Sequence, residues 1–174
     1  SFDLLYWNSD STNLPGPWYA GYLRNLYLEK KLVQSGALTV CGEKVDMTSI
    51  DIPTFIYASR EDHIVPPQAA YLSTQYLSGD KRFVMGASGH IAGVINPPAK
   101  KKRSYWTRDD GQLPATLDQW LSQAVEHPGS WWSDWSEWLA GHGGKEIAAP
   151  KAYGHGREYQ AREAAPGSYV LAKA

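Results

Sequence analysis

Two short, almost wholly apolar runs limit what this 174-residue chain can fold into more than any other feature: Pro53–Ser59, "PTFIYAS", and Arg82–Ala87, "RFVMGA". Each is bounded by turn residues, as expected of a strand covered on both faces in a parallel sheet. Between them Pro66 and Pro67 open a helical stretch to about Leu77, with Ala69, Ala70, Leu72, Tyr76 and Leu77 available to pack, and Gly79 ends it. Strand, helix and strand in so few residues make a crossover unit, which is right-handed and joins parallel strands. An α/β fold follows as the expectation.

The flanks carry weaker signals. Residues 1–17 begin apolar, turn polar and finish in Pro and Gly. Apolar residues at Tyr19, Tyr22, Leu23, Leu26 and Tyr27 predict an amphipathic helix over Trp18–Leu32. "LTVCGEKVDM" predicts a hairpin turning at Gly42 and Glu43, with Cys41 at a strand end as a small buried apolar residue. Two further amphipathic helices are expected in "LPATLDQWLSQAVEH" and "SWWSDWSEWLAG", separated by Pro128 and Gly129. Leu117, Trp120, Leu121 and Ala124 share a face of the first, and Trp131, Trp135, Trp138 and Leu139 a face of the second. Beyond Gly143 the composition predicts an extended tail with little core.

Bulk properties exclude several classes. With 17 basic and 18 acidic residues, nothing calls for a nucleic acid or an anionic membrane as main partner. Lys100–Arg103 is a local basic run, expected in a solvated loop with anion binding as the rival reading. No segment approaches the roughly 20 apolar residues that span a bilayer, and no leader opens the chain, so a soluble cytoplasmic protein is expected. The single Cys41 excludes an internal disulfide framework and fits a reducing compartment. Eight Trp and eleven Tyr against three Phe favour surfaces where a ring is buried and its polar tip stays wet. The start at Ser1 rather than Met suggests a missing amino-terminal portion.

The chemistry concentrates in "REDHIVP" after the first strand and "GASGHIAG" after the second. Active residues of parallel sheets sit in loops beyond the carboxyl ends of strands, where Asp62 and His90 both fall. A carboxylate accepting from one imidazole nitrogen fixes the tautomer and leaves the other nitrogen free as a base. Asp62 is equally placed to cap a turn or helix start. Gly86, Gly89 and Gly93 leave room for close backbone approach around His90. His63, adjacent to Asp62, is expected behind the pair or on the substrate side, and His127, His142 and His155 are expected to face solvent. No Gly-rich phosphate loop and no Cys/His metal cluster is present in the sequence.

The segments "LLYWNSDSTNLPGP", "LTVCG", "SREDHIVP", "GASGHIAGVINPPAKKKRSYW", "GSWWSDWSEWLAG" and "APGSYVLAKA" together resemble the carboxyl-terminal part of a class I polyhydroxyalkanoate synthase. The resemblance implies an α/β-hydrolase fold that polymerises (R)-3-hydroxyacyl-CoA, chiefly 3-hydroxybutyryl-CoA, into polyester on cytoplasmic granules with release of CoA. Acyl-CoA is then a substrate, and no cofactor or metal is implied. The family's triad is Cys, Asp and His. Its acid falls on Asp62 and its base on His90, while His63 matches a recurrent histidine that is not the triad base. Its nucleophile lies in a Gly-x-Cys-x-Gly box that this sequence lacks, and Cys41 does not match it.

On that reading residues 1–20 end a cap region, with Trp7 near a dimer contact or substrate entry. Residues 21–143 form the carboxyl-terminal part of the hydrolase core, and 144–174 form a tail. Implied partners are the amino-terminal remainder of the synthase, a second copy as homodimer, the growing polyester and the granule surface. Two rivals share some of these features: another α/β-hydrolase esterase or acyltransferase, and a noncatalytic granule-surface module built on the Trp-rich helices.

Overall fold

The computed structural model describes residues 5, 8, 9, 11, 13–152 and 154–171. Pro15 and Pro17 preset the backbone of a first helical turn, so the helix expected at Trp18 starts earlier, as α1, Gly16–Tyr22. Its hydrogen bonding widens to a π-type turn over Leu23–Leu28, and Lys30, at φ 50°, breaks the run before a short 3-10 turn, Lys31–Val33. The periodic rings are not buried: Tyr19 is 48% and Tyr27 65% exposed. Trp7 lies outside the described residues.

Strands β1, Leu38–Val40, and β2, Glu43–Val45, form the expected hairpin, but Val40 faces Glu43, so the turn is Cys41–Gly42 rather than Gly42–Glu43. Both turn residues have positive φ, 50° and 87°, the primed geometry that follows strand twist. Cys41 is therefore exposed at the tip, contrary to the buried position its residue type suggested.

The crossover unit follows. Strand β3, Thr54–Ser59, runs parallel to β4, Lys81–Gly86, in unbroken register from Thr54 opposite Lys81 to Ser59 opposite Gly86. The connecting helix divides at Leu72 into α2, Pro67–Tyr71, and α3, Ser73–Tyr76. Pro67, Tyr71 and Thr74, spaced four and three apart, form its buried face. Leu72, expected to pack, is 47% exposed because it falls off that stripe.

After β4 come α4, His90–Val94, and two strands the hydrophobic pattern did not announce: β5, Ser104–Thr107, and β6, Val125–Pro128. β5 pairs antiparallel with β4 and β6 antiparallel with β5, giving the order β3-β4-β5-β6. The helix expected through His127 stops early, as α5, Leu117–Leu121, because pairing with β5 overrides the helical pattern of "VEH". Pro128 closes β6 at the sheet edge, where a missing donor is tolerated. Helix α6, Trp132–His142, ends at Gly143, and beyond it come a short hairpin, β7, Gly154–His155, with β8, Tyr159–Gln160, and a 3-10 turn, Ser168–Leu171. No described strand pairs with the outer edge of β3.

Both faces of the parallel pair are covered, which explains its continuous apolar sequence. On one, Ile56, Ala58, Phe83 and Met85 pack with Tyr71, Leu117 and Trp120, and Phe83 meets Tyr71 and Trp120 edge to face at 4.9 and 4.8 Å. On the other, Tyr57 stacks on Trp131 at 4.2 Å and Phe55 meets Trp138 at 5.5 Å. Arg82 clamps this helix through both nitrogens of its fork to Asp134, Nε to Oδ1 at 2.6 Å and Nη2 to Oδ2. The chain divides into two compact units, Asn25–Gly143, which holds the sheet, and a second formed by Ser1–Arg24 with Gly144–Ala174. In the second, the described residues from 144 onward are almost all exposed.

Trp120, 1% exposed, carries more of the core than Trp135, 38% exposed. Trp120→Ala should lower unfolding free energy by about 3–5 kcal/mol in urea denaturation, whereas Trp135→Ala should cost at most about 1 kcal/mol.

Candidate active site

Strands β3 and β4 end level with each other, and their following loops are stitched together by backbone bonds. Arg60 N donates to Gly86 O at 2.8 Å and Glu61 N to Ser88 O at 3.0 Å. The strand end admits no side chain at position 86, since a Cβ there would fall 2.3 Å from the Tyr57 hydroxyl. Ser88 then takes φ 80°, a left-handed turn that is costly for a non-Gly residue, and the chain enters α4 at His90. These constraints bring Asp62 and His90 together: Asp62 Oδ2 lies 2.8 Å from His90 Nδ1.

The carboxylate does two jobs at once. Its Oδ1 accepts from the amides of Ile64 and Val65, both at 2.9 Å, so it closes the turn that the sequence also allowed, while Oδ2 serves the histidine. Burial of the Asp62 side chain, 9% exposed, opposes its charge, but the Val65 amide, His90 and the Ile64 amide outweigh this and hold its carboxyl below the usual value. An ionised carboxylate only accepts. The proton between them therefore sits on Nδ1 of His90, so that in the neutral imidazole the lone pair is on Nε2, on a side chain 41% exposed. That is the arrangement of a base held in its working tautomer.

His90 is also fixed from behind. Gly93 in α4 lies so close to β3 that a Cβ would fall 2.3 Å from Ser59 Oγ, whose position is shared with Tyr57 Oη at 3.0 Å. The last carbonyls of this five-residue helix are capped by indoles: Trp131 Nε1 donates to Gly93 O at 3.1 Å and Trp132 Nε1 to Val94 O at 2.8 Å. A helix this short has few internal bonds, so such outside donors matter. The Trp-Trp pair was legible as aromatic surface, but not its use; a buried ring with a bonded N–H is what that residue type allows.

Residues 1–97 match the family model described as alpha/beta hydrolase fold. The chain belongs to the alpha/beta hydrolase fold family. Within it, the chain is 64% identical over 173 residues to the poly(3-hydroxyalkanoate) polymerase subunit of Cupriavidus necator, covering 99% of this chain and 29% of that protein. It is 43% identical over 170 residues to the corresponding subunit of Rhizobium etli, covering 98% and 26%. The poly(3-hydroxyalkanoate) polymerase of Methylorubrum extorquens is 37% identical over 174 residues, covering 100% and 28%. The resemblance drawn from the motifs is borne out, and the chain spans less than a third of the length of these curated relatives.

Other histidines of this hydrolase-fold chain stand apart from the pair. His63 is exposed and bonds to no described residue. His127, expected to face solvent, is half-buried: its Nε2 lies 2.8 Å from the hydroxyl of buried Thr107 and its ring stacks on Tyr105, because β6 is a strand rather than a helix end. His142 is exposed and its Nδ1 donates to Trp138 O. The side chain of His155 lies outside the described residues. A cavity of about 380 Å³ lined by Arg82, Asp134, Glu137, Trp138, Gly141 and His142 opens at the amino end of β4, the opposite end of the sheet from His90. No group of side chains among the described residues is suited to hold a metal ion.

Two outcomes check this geometry. Asp62 has a depressed folded-state pKa, so its stabilisation is complete above the ordinary carboxylate value of about 3.9 and is lost as acid carries the pH down through the folded value. Denaturation curves between about pH 2 and pH 5 should show that slope in the parent and a shallower one in Asp62→Asn. Trp131→Phe with Trp132→Phe removes both indole donors while keeping ring area, and should speed amide exchange in α4 by about tenfold, with the β4 amides unchanged.

Proposed function

We propose that this chain supplies the acid and base of a cysteine-dependent acyl transfer that polymerises (R)-3-hydroxyacyl-CoA, chiefly 3-hydroxybutyryl-CoA, into polyester and releases CoA. One observation carries the reading: the 2.8 Å Asp62–His90 bond stands beyond two adjacent parallel strands of a hydrolase fold, in a chain closely similar to polymerase subunits.

In this mechanism His90 Nε2 takes the proton of a cysteine thiol, since the thiolate is the reactive form. The sulfur attacks the acyl-CoA carbonyl, the bond to the CoA sulfur breaks, and the imidazolium returns its proton to the departing thiolate. The 3-hydroxyl of one acyl unit then gives its proton to His90 and attacks the other acyl thioester. A new oxygen ester forms and the cysteine sulfur leaves. Asp62 acts by orienting His90 and stabilising the imidazolium. A separate role in taking the hydroxyl proton is disfavoured, because both carboxylate oxygens are engaged and the side chain is nearly buried. Cys41 lies on a hairpin tip and not on a strand-to-helix elbow, and in this reading the thiol comes from a Gly-x-Cys-x-Gly box that this sequence lacks.

The same reading brings a homodimer, a cytoplasmic granule surface and the growing polyester as partners, supported by the motif resemblance. Among the described residues no helix is long and apolar enough to cross a membrane. The noncatalytic granule module loses its motive, since Trp131, Trp132 and Trp138 face Tyr57, the α4 carbonyls and Phe55.

The test is a chimera in which this chain replaces the matching region of the Cupriavidus necator polymerase. It should release CoA from 3-hydroxybutyryl-CoA, with kcat/KM falling by about 10³-fold or more in His90→Ala. The 174-residue chain by itself should release none. Turnover that survives His90→Ala would overturn the assignment.

A further inference from the structure

One bond to Asp62 does not fix where His90 points. It holds Nδ1 at 2.8 Å, yet a ring tied at one nitrogen still swings about that contact, and Nε2 swings with it. The backbone beneath the ring must supply the second restraint, and α4 is poorly equipped to do so alone. It has five residues, its N-cap Gly89 offers no capping side chain, and Gly93 within it is a weak helix former.

The restraint comes from neighbouring elements. Gly93 follows His90 by about one turn, and its amide donates to Gly89 O at 2.8 Å, closing the backbone around His90. On one side of Gly93 stands Ser59 Oγ, so near that a Cβ would fall 2.3 Å from it. Ser59 Oγ bonds Tyr57 Oη at 3.0 Å, the Tyr57 ring stacks on Trp131 at 4.2 Å, and Trp131 Nε1 donates back to Gly93 O at 3.1 Å. Residues from β3, α4 and α6 thus form a closed circuit that begins and ends on Gly93.

Each link of the circuit is stiff. Ser59 is 2% and Trp131 9% exposed, and packed side chains change rotamer only at a cost. Burial pushes the Tyr57 hydroxyl above its ordinary value, so this link stays a neutral hydroxyl. The same hydroxyl lies over Gly86, where a Cβ would fall 2.3 Å from it, so the circuit also rests on the strand end that leads to His90. The main buried cluster, around Trp120, lies on the opposite face of the sheet, apart from these contacts.

We infer that Tyr57 and Trp131 are positioning residues for the acyl transfer: through Gly93 they set the direction in which His90 presents Nε2. The inference rests on the polymerase reading for the reaction it serves. Neither side chain bonds the imidazole; both act on the helix that carries it. Proton transfer to and from a thiol or hydroxyl needs hydrogen-bond reach and good alignment, so a displacement of about 1 Å at Nε2 costs far more in rate than in folding.

The experiment uses the chimera described above with Tyr57→Phe, Trp131→Phe and Trp120→Phe. Tyr57→Phe keeps the ring and removes the hydroxyl, and Trp131→Phe keeps an aromatic ring and removes the donor. Trp120→Phe loosens the core on the other face and controls for lost stability. With 3-hydroxybutyryl-CoA, Tyr57→Phe and Trp131→Phe should each lower kcat about tenfold with KM within about twofold, and Trp120→Phe should leave both within about twofold. The loss in the Tyr57→Phe, Trp131→Phe double variant should fall short of the product of the single losses, because both act through Gly93. Proton NMR of the 174-residue chain reads the Nδ1 proton of His90 without any turnover. Its exchange with solvent should be about tenfold faster in Tyr57→Phe and Trp131→Phe than in the parent and in Trp120→Phe. Tyr57→Phe retains every ring contact and decides the matter if Trp131→Phe does not fold. Parental kcat in Tyr57→Phe, an equal loss in Trp120→Phe, or an unchanged Nδ1 proton would overturn the inference. Faster exchange in both variants beside a chimera that never turns over would instead sink the polymerase reading and leave the positioning role standing.

Discussion

A single hydrogen bond, from His90 Nδ1 to Asp62 Oδ2, joins two residues 28 apart in sequence, and the proposed acyl transfer depends on it. It forms because β3 and β4 are parallel neighbours that end at the same level, Ser59 opposite Gly86, so that what leaves one strand meets what leaves the other. Backbone bonds from Arg60 and Glu61 close the gap before any side chain is involved. An antiparallel pair would have placed the same two residues at opposite ends of the sheet.

Around that bond the aromatic residues act as structure with polar tips. Trp131 lies on Tyr57 and also bonds a helix carbonyl, Trp132 bonds the next, and Tyr71 is almost fully buried yet its hydroxyl donates to Pro114 O at 2.6 Å. Phenylalanine would supply the rings without the donors. The preference for Trp and Tyr over Phe, which suggested wet interfaces, is accounted for in this unit by rings that pack inside while donating to backbone carbonyls.

The parallel pair and its catalytic candidates were legible because their signals are local: apolar runs of strand length, proline at a helix start, an acid and a histidine just past strand ends. The edge strands were not. "SYWT" and "VEHP" are short and only partly apolar, and they become strands through pairing with each other and with β4. His127 and Cys41 went astray for the same reason, since each follows from a partner strand rather than from its neighbours: one is tied to Thr107 across β5, the other is pushed to a hairpin tip by a register one residue off. Asn96 gave no sign at all. An amide in a proline-rich loop is unremarkable until its two carbonyl partners, contributed from six and 33 positions away, are known.

The bare flank of β3 has a directional consequence. Three of its six residues, Phe55, Tyr57 and Ser59, present amide and carbonyl groups there that complete no ladder with a described strand, because alternate residues turn theirs to β4. A further strand that docks on this flank with the same polarity leaves the sheet at the rim where Ser59 leaves it. Whatever turn it makes next is then delivered to the imidazole of His90, so one row of backbone bonds is enough to aim a third reactive group from a distant part of a polypeptide.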